Sequence, residues 1–200
     1  MNKQRLSGIV LIASIVMMVL SGIIFPLPNL YQETDIDVRM QIVEQGGSNF
    51  TNAQIITIVA VAGMAVGYLL LTLHLQGEKT ARLANFGAAA MIIAAISITI
   101  YLLIGISDPR AYLDRAARES SGIAIYLQGF AYLAIAGYLL YGVVFLRAGF
   151  PKWLAYFTLG FTTLVLFVVI FIEIFAVELL FFLMPLIVGI VLLRRSKAVN

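Results

Sequence analysis

The stretch Phe167-Val-Val-Ile-Phe-Ile-Glu-Ile-Phe-Ala-Val-Glu-Leu-Leu-Phe-Phe182 decides the fold of the last third of this chain. It contains two glutamates and no Gly, Pro, Asn or Ser to mark a turn. The 41 residues from Trp153 to Leu193 would form a helix about 61 Å long at 1.5 Å per residue, about twice the thickness of a hydrocarbon core. The run must therefore fold back. Its middle falls between Ile172 and Leu179, where Glu173 and Glu178 lie.

The composition identifies an integral membrane protein. Hydrophobic residues make up 62% of the 200 residues, well above the roughly 45–50% of a soluble domain, and the mean hydropathy is +1.02. A span requires about 20 mainly apolar residues, so this length holds several spans with short connections. We predict an all-α, six-transmembrane-helix bundle forming a single domain over residues 1–200, with spans at about 6–25, 54–75, 86–106, 123–146, 153–172 and 176–193.

The basic residues predict the orientation. Lys and Arg gather on the cytoplasmic side of membrane proteins. With the N-terminus inside, nine of the thirteen basic residues lie on the cytoplasmic side: Lys3, Arg5, Lys79, Arg82, Arg147, Lys152, Arg194, Arg195 and Lys197. We therefore expect both termini to be cytoplasmic.

The same parity places the corner between the fifth and sixth spans outside. An acidic side chain costs about 2.5–3.5 kcal/mol at the bilayer centre and much less near the interface. Glu173 and Glu178 are therefore interpreted as the turn signal of this corner. Arg110, Arg115 and Arg118 in the preceding outer connection are their expected partners, which makes these five residues a candidate ionic cluster on the outer face.

Two outer connections carry patterns of short surface helices. In the first connection, Ile36, Met40 and Val43 fit one helical face, although alternation through residues 36–42 also fits a strand; we favour a helix. In the second connection, Ser107 or Asp108 can cap a helix that has Pro109 in its first turn.

Small residues predict how the spans pack. Gly63 and Gly67 form a small-xxx-small pattern in the second span, and Gly129 and Gly137 mark the fourth. Such residues let helix backbones approach closely in lipid. We expect packing within the bundle rather than a dimer face. The second, third and fourth spans are candidates for the bundle centre.

Few polar residues lie inside the predicted spans. Gln128 is the most polar of them, and Tyr132 lies one turn further along. Their expected role is hydrogen bonding between helices, and a ligand pocket around them is the alternative. His74 is the only histidine; it is predicted to lie at the cytoplasmic interface, and a lone histidine without cysteine cannot build a metal site.

The chain shows no nucleophile–base pair, glycine-rich nucleotide loop or metal-binding motif, and it has no cysteine. Ionisable residues inside spans usually mark pumps and ion-coupled transporters, and the predicted spans lack them apart from residues near their ends. The sequence therefore disfavours an enzyme, predicts no cofactor, and gives no reason to expect nucleic-acid binding.

The segment Gly137-Tyr-Leu-Leu-Tyr-Gly-Val-Val-Phe-Leu-Arg-Ala-Gly-Phe-Pro-Lys-Trp-Leu-Ala155 predicts a tight helical hairpin, because Gly149 can take a left-handed turn and Pro151 prevents continuation. The segment resembles the signature of an uncharacterised bacterial and archaeal membrane family, catalogued as domain of unknown function 4386. That family often has an extra residue before the proline, which this chain lacks. The resemblance implies a six-span protein of a bacterial or archaeal cell membrane and brings no activity.

Three functions remain open from the sequence. The leading hypothesis is a non-catalytic multi-pass protein, acting as an accessory or assembly subunit or as a binder of lipid or another hydrophobic molecule. Its expected partners are membrane lipids and either other membrane subunits or further copies of itself. The rival is a small transporter or channel using Gln128 and the outer acids. An intramembrane enzyme would need those acids to converge with Arg115 or Arg118.

Overall fold

A computed structural model describes residues 2–30, 32–76, 80–114, 118, 122–171 and 176–198, with residues 170, 171, 176–181, 197 and 198 described by their backbone alone. These ranges form an all-helical protein in which no strand occurs. Their helices are α1 (Lys3–Ile24), α2 (Ile36–Gln45), α3 (Asn49–His74), α4 (Ala81–Ser107), α5 (Pro109–Leu113), α6 (Ala124–Arg147), α7 (Lys152–Phe171) and α8 (Ala176–Ala198).

Five of these helices, α1, α3, α4, α6 and α7, are long and apolar enough to cross a membrane. They coincide with the first five predicted spans, and several extend beyond them by a turn. Helix α8 has 23 residues and overlaps the sixth predicted span. The protein is therefore a multi-pass helical bundle. Of the predicted corner between Ile172 and Leu179, residues 172–175 lie outside the described residues, and residues 176–179 already belong to α8.

The six long helices form a ring. Helix α1 packs against α3 and α8, α4 packs against α3 and α6, and α7 packs against α6 and α8. Each long helix thus has its main contacts with two neighbours. Helices α3, α4 and α6, the second, third and fourth spans expected at the bundle centre, bury a larger share of their apolar segments than α1 and α7 do.

Glycines allow the close contacts of this ring. A Cβ atom at Gly67 would lie 2.6 Å from Leu11 Cδ2 on α1, and one at Gly63 would collide with Ser14 Oγ. A Cβ atom at Gly137 of α6 would lie 2.8 Å from Met91 Sδ on α4. Gly129 has more room, with the nearest atom 3.5 Å away. All four predicted packing glycines therefore lie at contacts within the bundle.

The first and last long helices close the ring through a reciprocal glycine contact. A Cβ atom at Gly8 would lie 2.9 Å from the carbonyl oxygen of Gly189, and one at Gly189 would lie 3.0 Å from the carbonyl oxygen of Gly8. The Gln4 amide of α1 also donates to the Leu192 carbonyl of α8 at 3.3 Å. Close backbone approach at small residues is the usual way in which helices associate in lipid.

The hairpin between α6 and α7 has the predicted turn. Gly149 has a φ of 68°, a left-handed conformation that residues with a side chain rarely adopt. The Phe150 amide donates to the Phe145 carbonyl at 3.2 Å, which satisfies one of the last carbonyls of α6. Helix α7 then begins at Lys152, directly after Pro151.

The two short helices form a cap over one end of the ring. Helix α2 follows α1, and α5 follows α4, so both lie where α1 and α4 finish; we call this the cap end and the opposite end the far end. The cap has its own small apolar core, made by Leu30, Val43, Phe50 and Leu113 with partly buried neighbours including Ile36 and Met40. Residues 36–45 are therefore helical, with the apolar face that the sequence indicated.

Candidate functional site

The cap end of the ring contains a partly open cavity of about 830 Å³, here called the chamber. Its wall comes from α1, α3, α4, α6 and α8, and from both helices of the cap. Along α3 the wall runs from Ala53 to Val61, a depth of about 12 Å at 1.5 Å per residue. The apolar part of the wall includes Met18, Val61, Ile98, Leu102, Leu127, Phe130 and Phe182.

Gln54 is the clearest polar group of the chamber. It lines the cavity and is only 5% exposed. None of the side-chain hydrogen bonds among the described residues involves its amide. Its amide atoms are not among the fully buried unpaired atoms of the described residues, so they can be reached from the cavity. Gln54 therefore offers a donor and an acceptor to whatever occupies the chamber.

Arg39 brings a positive charge to the same cavity. It belongs to α2, which begins where the Asp35 side chain accepts the Asp37 amide at 2.9 Å. The guanidinium donates through Nε to the Glu33 carbonyl and through Nη1 to the Leu113 carbonyl at 3.3 Å. Both acceptors are neutral, so these bonds fix the side chain between α2 and α5 without compensating its charge.

Two acids near Arg39, Glu33 and Asp37, have partners other than its guanidinium. Glu33 Oε1 accepts the amides of Thr34 and Asp35 at 2.8 and 3.1 Å. Asp37 forms an ion pair with Arg110 of α5 at 3.3 Å, between side chains that are 74% and 57% exposed. Arg39 itself forms no ion pair with a carboxylate in the described part of the chain. Its charge therefore remains available to the chamber.

Aromatic residues hold α5 over the chamber. A Cβ atom at Gly105 of α4 would lie 2.7 Å from the ring of Tyr112, so the glycine makes room for that ring. The Tyr101 hydroxyl donates to the Tyr112 carbonyl at 3.3 Å, and the two rings lie 4.9 Å apart. Phe50 packs edge-on against Tyr112 at 5.7 Å. Both tyrosines line the cavity, which gives it an amphipathic rim.

The far half of the ring is filled by buried tyrosines. Tyr68 of α3 and Tyr138 and Tyr141 of α6 are each 0% exposed. The Tyr141 hydroxyl donates to the Tyr68 carbonyl at 3.0 Å and lies 2.8 Å from Thr72 Oγ1. Thr72 in turn donates to the Ala84 carbonyl of α4 at 3.2 Å. This network ties three helices together beneath the chamber.

The predicted ionic cluster is described only in part. Glu173 and Arg115 lie outside the described residues, and Glu178 is described by its backbone alone. Arg110 pairs with Asp37, a partner that sequence reasoning missed. Arg118 lines the chamber, and its Nε atom is buried. The two arginines that the structure does place thus have different surroundings.

Gln128 and Tyr132, predicted to form a polar pocket inside the bundle, lie on its outer surface. Gln128 is exposed, Tyr132 is 50% exposed, and neither lines the chamber. One turn apart on α6, they share its outward face. Gln54, predicted as the first residue of the second span, does line the cavity. Helix α3 begins five residues earlier, at Asn49, and this places Gln54 inside the bundle.

His74 is exposed at the end of α3, on the far end of the bundle. Among the described residues, no group of three or more His, Asp or Glu side chains could hold a metal ion. A second, smaller cavity of about 350 Å³ lies between α1 and α8, lined by Arg5, Ile9, Ile190, Leu193 and Arg194. Its arginines lie at the far end, opposite the chamber.

Comparison of the chain with protein-family models, with curated proteins and with solved structures found no match.

Proposed function

We propose that the chain crosses a bacterial or archaeal cell membrane six times, with both termini in the cytoplasm and the cap outside. The described charges support this orientation. Basic residues at the far end outnumber those at the cap end: Lys3, Arg5, Arg82, Arg147, Lys152, Arg194 and Arg195 against Arg39, Arg110 and Arg118. Helix α8 would be the sixth span, which its length of 23 residues allows. The resemblance to domain of unknown function 4386 agrees with this layout.

Within this topology, we propose that the protein is a non-catalytic binder of a lipid or another hydrophobic molecule, and that the chamber is the binding site. The chamber is the observation that supports this function. Ligand sites are typically cavities of about 300–1,000 Å³, mostly apolar, with a few placed polar groups. The chamber has this size, an apolar wall, and polar groups near the cap. A role as an accessory or assembly subunit is compatible with such a ligand.

The rival function, a small transporter or channel, needs a path through the bundle. The fully buried tyrosines of α3 and α6 occupy the middle of the far half. Permeation would have to displace Tyr141 from its hydrogen bonds with Thr72 and the Tyr68 carbonyl. The arrangement therefore favours a chamber with one closed end, which suits binding better than conduction.

A filled chamber tests the proposal. Gly22 of α1 lines the cavity, and a Cβ atom there would have nothing within 4 Å. Because Gly22 is exposed, Gly22→Phe should place a ring at the open edge of the cavity without a backbone clash and obstruct it. Gly160 of α7 also has nothing within 4 Å and does not line the chamber, so Gly160→Phe is the matched control.

The measurement is native mass spectrometry after gentle extraction from the membrane. Wild type and Gly160→Phe should carry the same bound amphiphile, and Gly22→Phe should have lost it. A wild-type protein that carries nothing would contradict the binding function. Equal retention by both variants would show that the ligand sits elsewhere. Co-purification of a protein partner that both phenylalanine variants retain would instead favour the assembly role.

A further inference from the structure

We infer that the ligand of the chamber is an anionic amphiphile, with its headgroup held by Arg39 and Gln54 at the cap and its apolar chain directed toward α3 residue Val61. This inference rests on the proposed function, since it names the chemistry of the molecule that the same cavity would bind. The headgroup chemistry is a carboxylate or phosphate. It could come from a single-chain acid or from an anionic membrane lipid.

The charges in the wall of the chamber favour an anionic ligand. The described lining of the chamber contains the Arg39 guanidinium and no carboxylate; the Arg118 guanidinium also lines it but interacts with other groups. The acids around Arg39 lie outside the cavity and are used in the cap, as Asp35 is at the start of α2 and Asp37 is in its pair with Arg110. An uncompensated cation beside an apolar cavity favours an anion, because electrostatic attraction is stronger where water is partly excluded.

The positions of the polar groups in the chamber favour a ligand with one polar end. Val61 lies about 10 Å deeper along α3 than Gln54, at 1.5 Å per residue. Arg39 comes from the cap itself, and the wall around Val61 is apolar: Met18, Ile98 and Leu102 belong to it. Polar groups thus stand at the cap and apolar groups below, which matches a molecule with one charged end.

Arg39 and Gln54 at the cap have donors for hydrogen bonds that an oxyanion can accept. Two guanidinium nitrogens of Arg39 donate to backbone carbonyls, which orients the group and leaves Nη2 for a ligand. The Gln54 amide can donate a second hydrogen bond to the same oxyanion, because none of the hydrogen bonds among the described side chains uses it. Charge-assisted hydrogen bonds from arginine to a carboxylate or phosphate are about twice as strong as neutral ones.

Equilibrium binding of radiolabelled dodecanoate tests the inference, with the full-length protein in phosphatidylcholine nanodiscs. Dodecyl phosphate should displace the label at least about tenfold better than dodecanol, and dodecylammonium should not displace it. Arg39→Gln should remove this preference, and Arg39→Lys should keep most of it. Arg194→Gln is the matched control, since Arg194 flanks the other cavity; it should leave the preference unchanged.

A second variant guards against misfolding of Arg39→Gln. Gln54→Leu removes the amide without breaking a hydrogen bond of the described structure, and it should weaken dodecanoate at least about tenfold. Replacing phosphatidylcholine by phosphatidylglycerol separates the two sources. If the natural ligand is an anionic lipid, phosphatidylglycerol should displace dodecanoate. If the natural ligand is a single-chain acid, the radiolabelled dodecanoate should stay bound. Either result supports the anion site.

The failures of the two proposals are distinguishable. If dodecanol binds as well as dodecanoate and Gly22→Phe abolishes both, the chamber binds amphiphiles and the anion inference is overturned. If Arg194→Gln abolishes the preference and Arg39→Gln keeps it, the anion sits between α1 and α8 and the inference is likewise overturned. If no saturable binding occurs that Gly22→Phe removes, the binding function itself has failed.

Discussion

Replacing Gln54 by leucine should make the empty protein more stable while weakening its ligand. The leucine side chain is close in size to glutamine and lacks the amide. Since the amide makes no hydrogen bond within the described residues and the side chain is 95% buried, the native state loses nothing specific. An unpaired buried amide costs about 1–3 kcal/mol. Removing it should recover part of this cost.

The size of the chamber determines how much stability the Gln54→Leu substitution should add within the range of about 1–3 kcal/mol. A cavity of about 830 Å³ holds many water molecules, since each needs about 30 Å³ in the liquid. Water can therefore solvate one side of the Gln54 amide. We expect the lower limit, about 1 kcal/mol, which for domains of this length corresponds to a rise in Tm of about 2–4 °C.

The assay is thermal unfolding in maltoside detergent, followed by circular dichroism, on delipidated protein. Gln128→Leu is the matched control, because Gln128 is exposed on the outward face of α6 and should leave Tm unchanged. Adding dodecyl phosphate should then stabilise wild type more than Gln54→Leu, since a ligand raises stability in proportion to its affinity for the folded state. A lower Tm for ligand-free Gln54→Leu would refute the reasoning, because it would mean that the amide has a structural partner.

Three further substitutions test the packing. Gly67→Leu should prevent α1 from contacting α3, because even a Cβ atom would lie 2.6 Å from Leu11; loss of a monodisperse peak in size-exclusion chromatography would report the damage. Tyr141→Phe should lower the free energy of unfolding by about 1–2 kcal/mol in detergent, because the change leaves buried Thr72 without one partner and deletes a bond to the Tyr68 carbonyl; an unchanged Tm would contradict this. Arg110→Gln should cost less than about 1 kcal/mol, since the pair with Asp37 is exposed, and a larger loss would show that the pair holds the cap in place.

The spans could be predicted because each depends on local composition. The hydropathy of twenty consecutive residues is a property of the segment itself, and so is the turn at Gly149. The same holds for the start of α5, where Asp108 accepts the Ala111 amide at 3.0 Å as its cap pattern indicated. The packing role of the glycines could also be predicted, because small residues inside a span usually lie where two helices approach closely.

The chamber could not be predicted, because it depends on which helices are neighbours. Gln128 and Gln54 both lie about one turn inside a helix that begins at the cap end. Only the rotation of each helix in the ring turns Gln54 inward and Gln128 outward, and one sequence carries little information on that rotation. Arg39 was missed for a related reason, since its role follows from the docking of α2 on α5.

The contact between Gly8 and Gly189 sets the order in which the chamber can be built. Along the chain α1 precedes the other long helices and its partner α8 follows them, so in the proposed six-span topology α8 is inserted last of the six. Until then the curved row of helices is open on one side, and membrane lipid has lateral access to the Gln54 amide and to the surface around Val61. Insertion of α8 closes this opening. In this topology a molecule that already lies between the helices is enclosed laterally when α8 docks, so the proposed ligand can enter from the bilayer during assembly as well as through the open end of the chamber.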